Sequence, residues 1–298
     1  MNEFVKALFD GLSLAAVYAL IALGFVIIYK SMQVLSFAQP GLLLIGGFWV
    51  VEFSMRRDIN FFLAVAIAVV FATVTGLVIE RLALRPMVGK PVFAVAIMTI
   101  GIDVVLRIWA LDLFGDTLQS TGDPWGIGTS TVGGIVLGHR RIAAIVVAAV
   151  LVVALLVFFR YTRIGLAMRA TAFDQEVALT QGVSVARVFA VSWAIAAVLA
   201  AIAALFVNLN TGSLSPNDAA FALRALPVVV IGGLDSIGGA LVAAVIVGIA
   251  EQLTSVYSPQ YFDWVGAGFA QVVPYLVMFI VLLVRPYGLF GTKEVERV

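Results

Sequence analysis

Long apolar runs separated by short polar breaks dominate the chain. They fall at roughly 8–29, 36–53, 61–79, 92–112, 143–160, 187–208, 238–254 and 265–284. A membrane-spanning helix needs about 20 mostly apolar residues, so the pattern predicts about eight transmembrane helices. A ninth stretch, 218–234, is shorter and carries Arg224, Pro227 and Gly232–Gly233. It predicts a short crossing or a re-entrant helix, because irregular backbone at membrane depth is tolerated only inside protein or beside a cavity. The expected fold class is an all-α polytopic integral membrane protein, with residues 1–298 forming one transmembrane domain. No small-residue cleavage site follows the first apolar run at signal-peptide distance, so that run reads as a retained span.

Composition strengthens this picture. The chain is 63% hydrophobic and only 12% charged, with a mean hydropathy of +1.13. A soluble domain is about one quarter charged, and so little polar surface cannot wrap so large an apolar core. There are no cysteines and one histidine, His139. Disulfides, thiolate catalysis and Cys- or His-based metal clusters are thereby excluded. The net charge of +1 argues against nucleic acid as a partner and leaves membrane lipid as the solvent.

The positions of the basic residues predict orientation. Ten of the 18 Lys and Arg residues lie in three segments: Arg81, Arg85 and Lys90; Arg160, Arg163, Arg169 and Arg187; and Arg285, Lys293 and Arg297. The positive-inside rule places those segments in the cytoplasm. Alternating crossings then put the N-terminus outside, the C-terminus inside and the loop 113–142 outside. Arg56–Arg57 and Arg140–Arg141 fall outside and run against the rule. The loop 113–142 carries Asp116, Asp123–Pro124 and the run GIGTSTVGGIVLGHRR. Its alternation around Gly133–Gly134 predicts a hairpin. The loop reads either as a plain solvated connection or as a docking surface for an extracytoplasmic partner.

One segment breaks the apolar pattern. RIGLAMRATAFDQEVALTQG, 163–182, is too polar to span and too regular for a loop. Ala167, Ala170, Ala178 and Leu179 alternate with Arg169, Asp174, Gln175 and Glu176 at helical spacing, and Gly165 and Gly182 punctuate the ends. This predicts a short helix lying on the cytoplasmic face. Its small residues permit close approach to another protein, with charges forming a polar rim.

Candidate pathway residues sit where apolar runs are interrupted. Ser36, Gln39, Pro40 and Gly41 open the second run, with Pro40 suited to a first helical turn. Pro40 precedes Gly46–Gly47 as Pro227 precedes Gly232–Gly233, and interrupted segments in two halves of a transporter point to its binding site. A helix start at Pro40 presents backbone N–H groups suited to a carboxylate. The competing reading is ordinary small-residue packing. Asp103 and Arg107 lie four apart in the fourth run and share a helix face. Charges there face a bundle interior or water: either a self-neutralising pair or a pathway lining in which Arg107 steers a carboxylate. Glu251 falls near the outer end of its span, within conceivable reach of Arg140 or Arg141. Asn208 and Asn210 close the sixth run, as helix caps or as a lining of the outer mouth.

The segment 163–182 and its surroundings resemble the bacterial ABC-importer permeases of the branched-chain amino acid class, the LivH-like family. The matching positions are Gly165, Ala167, Arg169, Ala170, Ala172, Asp174, Ala178 and Gly182, followed by an Ala-rich span. GLSLAAVYALIALGFVIIYK at 11–30, IERLALRP at 79–86, VVIGGLDSIGGALVAAVIVGIAE at 229–251 and RPYGLFGTKEVERV at the end are similar to other family landmarks, in the same order. The chain departs from the family's N-F-A-H-G with Ser36-Phe37-Ala38-Gln39-Pro40-Gly41, which leaves the exact substrate open. The resemblance implies that 163–182 is a cytoplasmic coupling helix, its Arg169, Ala170, Ala172, Asp174, Glu176, Ala178 and Gly182 meeting a groove on an ATPase. It implies two such ATPase subunits, a second and related permease chain, an extracytoplasmic substrate-binding protein and location in the bacterial inner membrane.

No G-x-x-x-x-G-K-[ST] occurs in the chain, so ATP and Mg are expected on the partner ATPases and this chain is expected to be non-catalytic. GGLDSIGG at 232–239 lacks the lysine and reads as a tight turn with close helix packing. The implied function is the membrane subunit of an ATP-driven importer of branched-chain amino acids or related amino acid, carboxylate or amide solutes, working by alternating access. The alternative is a stand-alone ion-coupled carrier or channel. Such proteins need ionisable groups in mid-membrane, and only Asp103 and Arg107 clearly qualify.

Overall fold

A lipid solvent forces backbone groups to pair within their own segment, and helix accordingly dominates. The computed structural model describes residues 2–115, 118–126, 128–133, 135–261, 266 and 268–291. In chain order the elements are α1 (Asn2–Met32), α2 (Gln39–Val51), α3 (Phe61–Ile79), α4 (Val92–Phe114), β1 (Thr129–Val132), β2 (Ile135–Gly138), α5 (His139–Tyr161), α6 (Arg163–Phe173), α7 (Gln175–Thr180), α8 (Val185–Thr211), α9 (Ala219–Gly232), α10 (Ile237–Tyr261) and α11 (Val273–Val284).

Two expectations are met in part. Among the described residues six helical runs are long and apolar enough to cross: Glu3–Met32, Phe61–Met87, Val92–Leu113, His139–Tyr161, Val185–Leu209 and Ile237–Pro259. The runs expected at 36–53 and 265–284 fold as shorter helices. α2 has 13 residues and ends in a π turn at Glu52–Arg56, while α11 has 12. The run 218–234 contains the 14-residue α9, with Pro227 inside it. The single helix expected over 163–182 is two helices, α6 and α7, broken at Asp174. The hairpin is present as expected: β1 and β2 pair antiparallel, Thr129 opposite Gly138 and Val132 opposite Ile135. Gly134 of that turn, Asp116 of the same loop, and Lys293 and Arg297 of the tail lie outside the described residues.

The chain divides into two compact units, with boundaries inside α1, α5 and α9. The unit formed by 27–124 and 149–223 is built around α2. Every α2 residue but Trp49 is buried, as expected of a helix that is apolar on all sides. α8 packs on it most closely, then α4, with α3 alongside and itself packed closely on α8. Small residues make this possible. A Cβ on Gly46 would lie 2.7 Å from Cα of Ala201, and one on Gly76 would lie 2.8 Å from the carbonyl oxygen of Trp193. Close backbone approach of this kind substitutes for the hydrophobic force that lipid removes between helices.

A polar knot ties the loop after α4 to this unit. Ser54 Oγ donates to the carbonyl of Thr121 at 2.6 Å, Thr121 Oγ1 donates to Asn208 Oδ1 at 3.1 Å, and Asn208 Nδ2 donates to the carbonyl of Gln119 at 3.3 Å. Gln119 also exchanges backbone hydrogen bonds with Leu214. Asn208, read from the sequence as a cap or a mouth residue, instead anchors this loop. The π turns at the two ends of α3's neighbourhood carry matched charges: Glu52 pairs with Arg56 and Arg57, and buried Glu80 pairs with Arg85 at 3.3 Å.

In the unit formed by residues up to 26, 125–148 and 224 onward, α1 crosses α10 in close contact. A Cβ on Gly11 would meet Cα of Ile249 at 2.9 Å, and one on Gly248 would meet the backbone nitrogen of Ala15 at 2.6 Å. Glu251 accepts a hydrogen bond from Tyr18, whereas Arg141 forms an ion pair with Asp10. Arg56, Arg57 and Arg141, three of the residues that run against the positive-inside rule, therefore each have a carboxylate partner.

Candidate coupling surface and intramembrane polar cluster

The break between α6 and α7 follows from side-chain capping. Thr162 caps α6 by accepting from the Gly165 N–H, and Gly165 itself lies against the α5 backbone, where a Cβ would sit 2.7 Å from Cα of Phe159. Asp174 adopts an extended backbone and accepts from the Val177 N–H at 3.0 Å, so it ends one helix and starts the next. An Asp at an N-cap satisfies an otherwise orphaned donor. Gly182 ends α7 at φ +79, a left-handed conformation in which its N–H and that of Val183 reach back to Leu179 and Ala178.

This elbow presents an unusual surface. Phe173, at its apex, is 90% exposed, and Leu166, Val177 and Leu179 are also exposed. Arg169 and Ala170 share the exposed side, Ala172 is half-buried, and Ala178 is buried. Ala178 is thus a packing residue that seats α7, and Asp174 and Gly182 shape the elbow. The side chain of Glu176 lies outside the described residues. Gln175 Nε2 donates to the carbonyl of Ser31 at 3.1 Å and joins α7 to the last turn of α1. Sequence reasoning missed this tie: 144 positions separate the two residues, and a lone Gln carries no signal for it.

A second cluster forms where α2 begins. α2 has no side-chain cap: Ala38 occupies the N-cap and Pro40 the first turn. Ser36 Oγ accepts weakly from the Ala38 N–H at 3.4 Å, and the Phe37 N–H is taken by Thr99 Oγ1 of α4 at 2.9 Å. Gly41 lets α4 approach; a Cβ there would lie 2.9 Å from Leu106 and 3.1 Å from Asp103 Oδ1. Asp103 Oδ2 pairs with Arg107 at 2.8 Å. The Gly41 N–H approaches the same carboxylate, yet Oδ1 has no hydrogen bond of proper geometry, and Arg107 Nε has none either. Gln39 is completely buried and neither of its amide atoms has a partner. Each such buried group costs about 1–3 kcal/mol, so the α2 N-terminus holds unspent polar capacity on a helix end that already carries partial positive charge.

Ser36, Gln39, Pro40, Gly41, Asp103 and Arg107 thus share one unit and meet at the α2–α4 contact. Pro227, Gly232 and Gly233 belong to the other unit: Pro227 lies within α9, and Gly232 and Gly233 form a packing turn at its end. The Leu289 N–H donates to the Ile231 carbonyl at 2.7 Å, and Phe290 to Gly232 at 3.2 Å. A Cβ on Gly233, at φ +101, would lie 2.5 Å from the backbone nitrogen of Gly291.

A mostly helical scaffold with several apolar crossings, an intramembrane polar cluster and a polar elbow defines a multi-pass membrane permease. The model for the permease component of the branched-chain amino acid transport system matches residues 7–282, and the chain belongs to this LivH-like family. It is 32% identical to the high-affinity branched-chain amino acid transport system permease protein LivH of Escherichia coli K12, over 99% of this chain and 98% of that protein. It is 29% identical to BraD of Pseudomonas aeruginosa over the same shares. A probable LivH of Methanocaldococcus jannaschii is 25% identical over 93% of this chain and 90% of its own. Among solved structures, PsaBC from Streptococcus pneumoniae in complex with Fab has the same fold, with a TM-score of 0.51 at 13% identity and 96% coverage of each chain.

Proposed function

We propose that this chain is a transmembrane subunit of an ATP-driven importer of branched-chain amino acids or closely related amino acid, carboxylate or amide solutes. It pairs with a second, related permease, two ATPase subunits engage it from the cytoplasm, and a binding protein delivers cargo from outside. ATP and Mg are held by the ATPases. The N-terminus lies outside and the C-terminus inside, so the 113–142 loop, knotted to Asn208, faces the binding protein and α6–α7 faces the ATPase. The cargo route passes the α2 N-terminus, with Gln39, Asp103 and Arg107 on its wall.

The observation that carries this reading is the elbow. A solvent-exposed Phe173 flanked by Arg169, Ala170, Val177 and Leu179 matches an anchor-and-rim interface, in which a few aromatic side chains supply most of the binding energy. Lipid does not suit so polar a segment, and water does not suit so exposed an aromatic.

The test is co-purification from native membranes with ATP hydrolysis measured in parallel, for the wild type and for Phe173→Asp. An ATPase that accompanies the wild type and is lost from the variant supports the reading. Transport that persists in liposomes without ATP, with no ATPase recovered, points instead to an ion-coupled carrier and makes Asp103 and Arg107 the coupling groups.

A further inference from the structure

A groove of about 430 Å³ opens beside the elbow, within the unit that contains α2. Small-molecule sites occupy about 300–1,000 Å³ and combine an apolar lining with a few placed polar groups. This groove has that construction. Its floor is apolar and buried: Val34 from the α1–α2 linker, Val95 from the first turn of α4 and Phe189 from α8. Its rim carries charges of opposite sign, Lys90 from the turn ahead of α4 and Asp174 from the elbow, with Gln175 beside them. Three segments that are distant in sequence therefore meet around it: the linker into α2, the turn into α4, and the α6–α7 break.

We propose that the groove binds a free α-amino acid with an apolar side chain. Lys90 takes the carboxylate and Asp174 the ammonium, and the floor takes the side chain. The Asp174 cap uses only Oδ1, for the Val177 N–H, so the carboxylate retains acceptor capacity. Charge-assisted hydrogen bonds at both ends of the ligand select for a zwitterion. The ligand bridges the elbow to the segments that lead into α2 and α4. On the importer reading, which the consequence but not the binding depends on, imported product returning to this groove braces the elbow and slows ATP hydrolysis.

The test is equilibrium binding of radiolabelled L-leucine to the full importer complex in lipid nanodiscs, with the binding protein omitted. The expected result is saturable binding competed by L-isoleucine but not by L-leucinamide or 4-methylpentanoate, which lack one charge each. Lys90→Gln and Asp174→Asn each weaken the site about tenfold, the scale of one lost charged hydrogen bond. Asn preserves the N-cap, so weakened binding in that variant is not a folding effect. ATP hydrolysis falls with L-leucine in the wild type and not in either variant. Absence of saturable binding, equal binding in both variants, or equal competition by the leucinamide overturns the proposal. Failure of any ATPase to assemble overturns the importer reading instead, and leaves the binding measurement on the permease intact.

Discussion

Tyr18 donates a 2.6 Å hydrogen bond to Glu251 across 233 positions of chain, and both side chains are buried at the α1–α10 contact. Such a bond inside an apolar bundle orients two helices, because a carboxylate without partners there is costly. Tyr18→Phe removes the donor and leaves the acceptor buried, so it should destabilise the protein by about 1–3 kcal/mol. Glu251→Gln keeps an acceptor for the hydroxyl and should cost less. Thermal melting in detergent, followed by size-exclusion profile, orders the two variants; the reverse order would show that Tyr18 is not Glu251's principal support.

Glycines at helix contacts differ sharply in what they permit. Gly46→Ala drives a methyl to within 2.7 Å of Ala201, whereas Gly101 has nothing within 4 Å of the same position. Gly46→Ala should lose about 1–3 kcal/mol through overpacking, and Gly101→Ala should be neutral or gain up to about 1 kcal/mol of helix propensity. Folded yield in membranes compares them directly. Equal yields would mean that α2 and α8 can separate without cost.

The unpartnered Gln39 amide makes stability and activity diverge. Gln39→Leu removes two buried, unsatisfied polar atoms, so the melting temperature should hold or rise. Transport in proteoliposomes should nevertheless fall, by about tenfold for one lost hydrogen bond to cargo. A variant that melts early would reveal a structural partner for the amide, and one that transports normally would remove Gln39 from the cargo route.

Gln175 reaches the backbone carbonyl of Ser31, while Ser31 Oγ bonds only locally, to Ile28 at 2.9 Å. Gln175→Leu should therefore lower the amount of solute moved per ATP hydrolysed while complex assembly persists. Ser31→Ala, which leaves the accepting carbonyl in place, should behave as wild type. Flux and hydrolysis measured on the same proteoliposomes separate loss of coupling from loss of assembly, and a parallel fall in both would place Gln175 in assembly.

Membrane class, the hairpin at Gly133 and the polar interruption at 163–182 were legible from the chain alone, because each rests on local composition. Apolar run length sets whether a segment prefers lipid, alternation and turn residues set a hairpin, and a charged stretch between greasy ones must meet water or protein. Span count was less legible. Runs 36–53 and 265–284 have the composition of crossings, but helix length depends on where caps, turns and π turns fall; Pro40 sets the start of α2, and Glu52 opens the π turn that ends its regular helix.

The tertiary structure alone decided which polar residues meet. Asp103 with Arg107 was foreseeable from i, i+4 spacing. Gln175 with Ser31, Thr121 with Asn208 and Tyr18 with Glu251 were not, and Glu251 pairs with Tyr18 rather than with an arginine. It also turned Ala178 inward and left Phe173 at the surface, though both occur in one segment of helical spacing. The physical reason is common to all of these. Local propensity acts over a few residues, whereas long-range hydrogen bonds form only after glycine and alanine contacts have fixed how closely the helices approach.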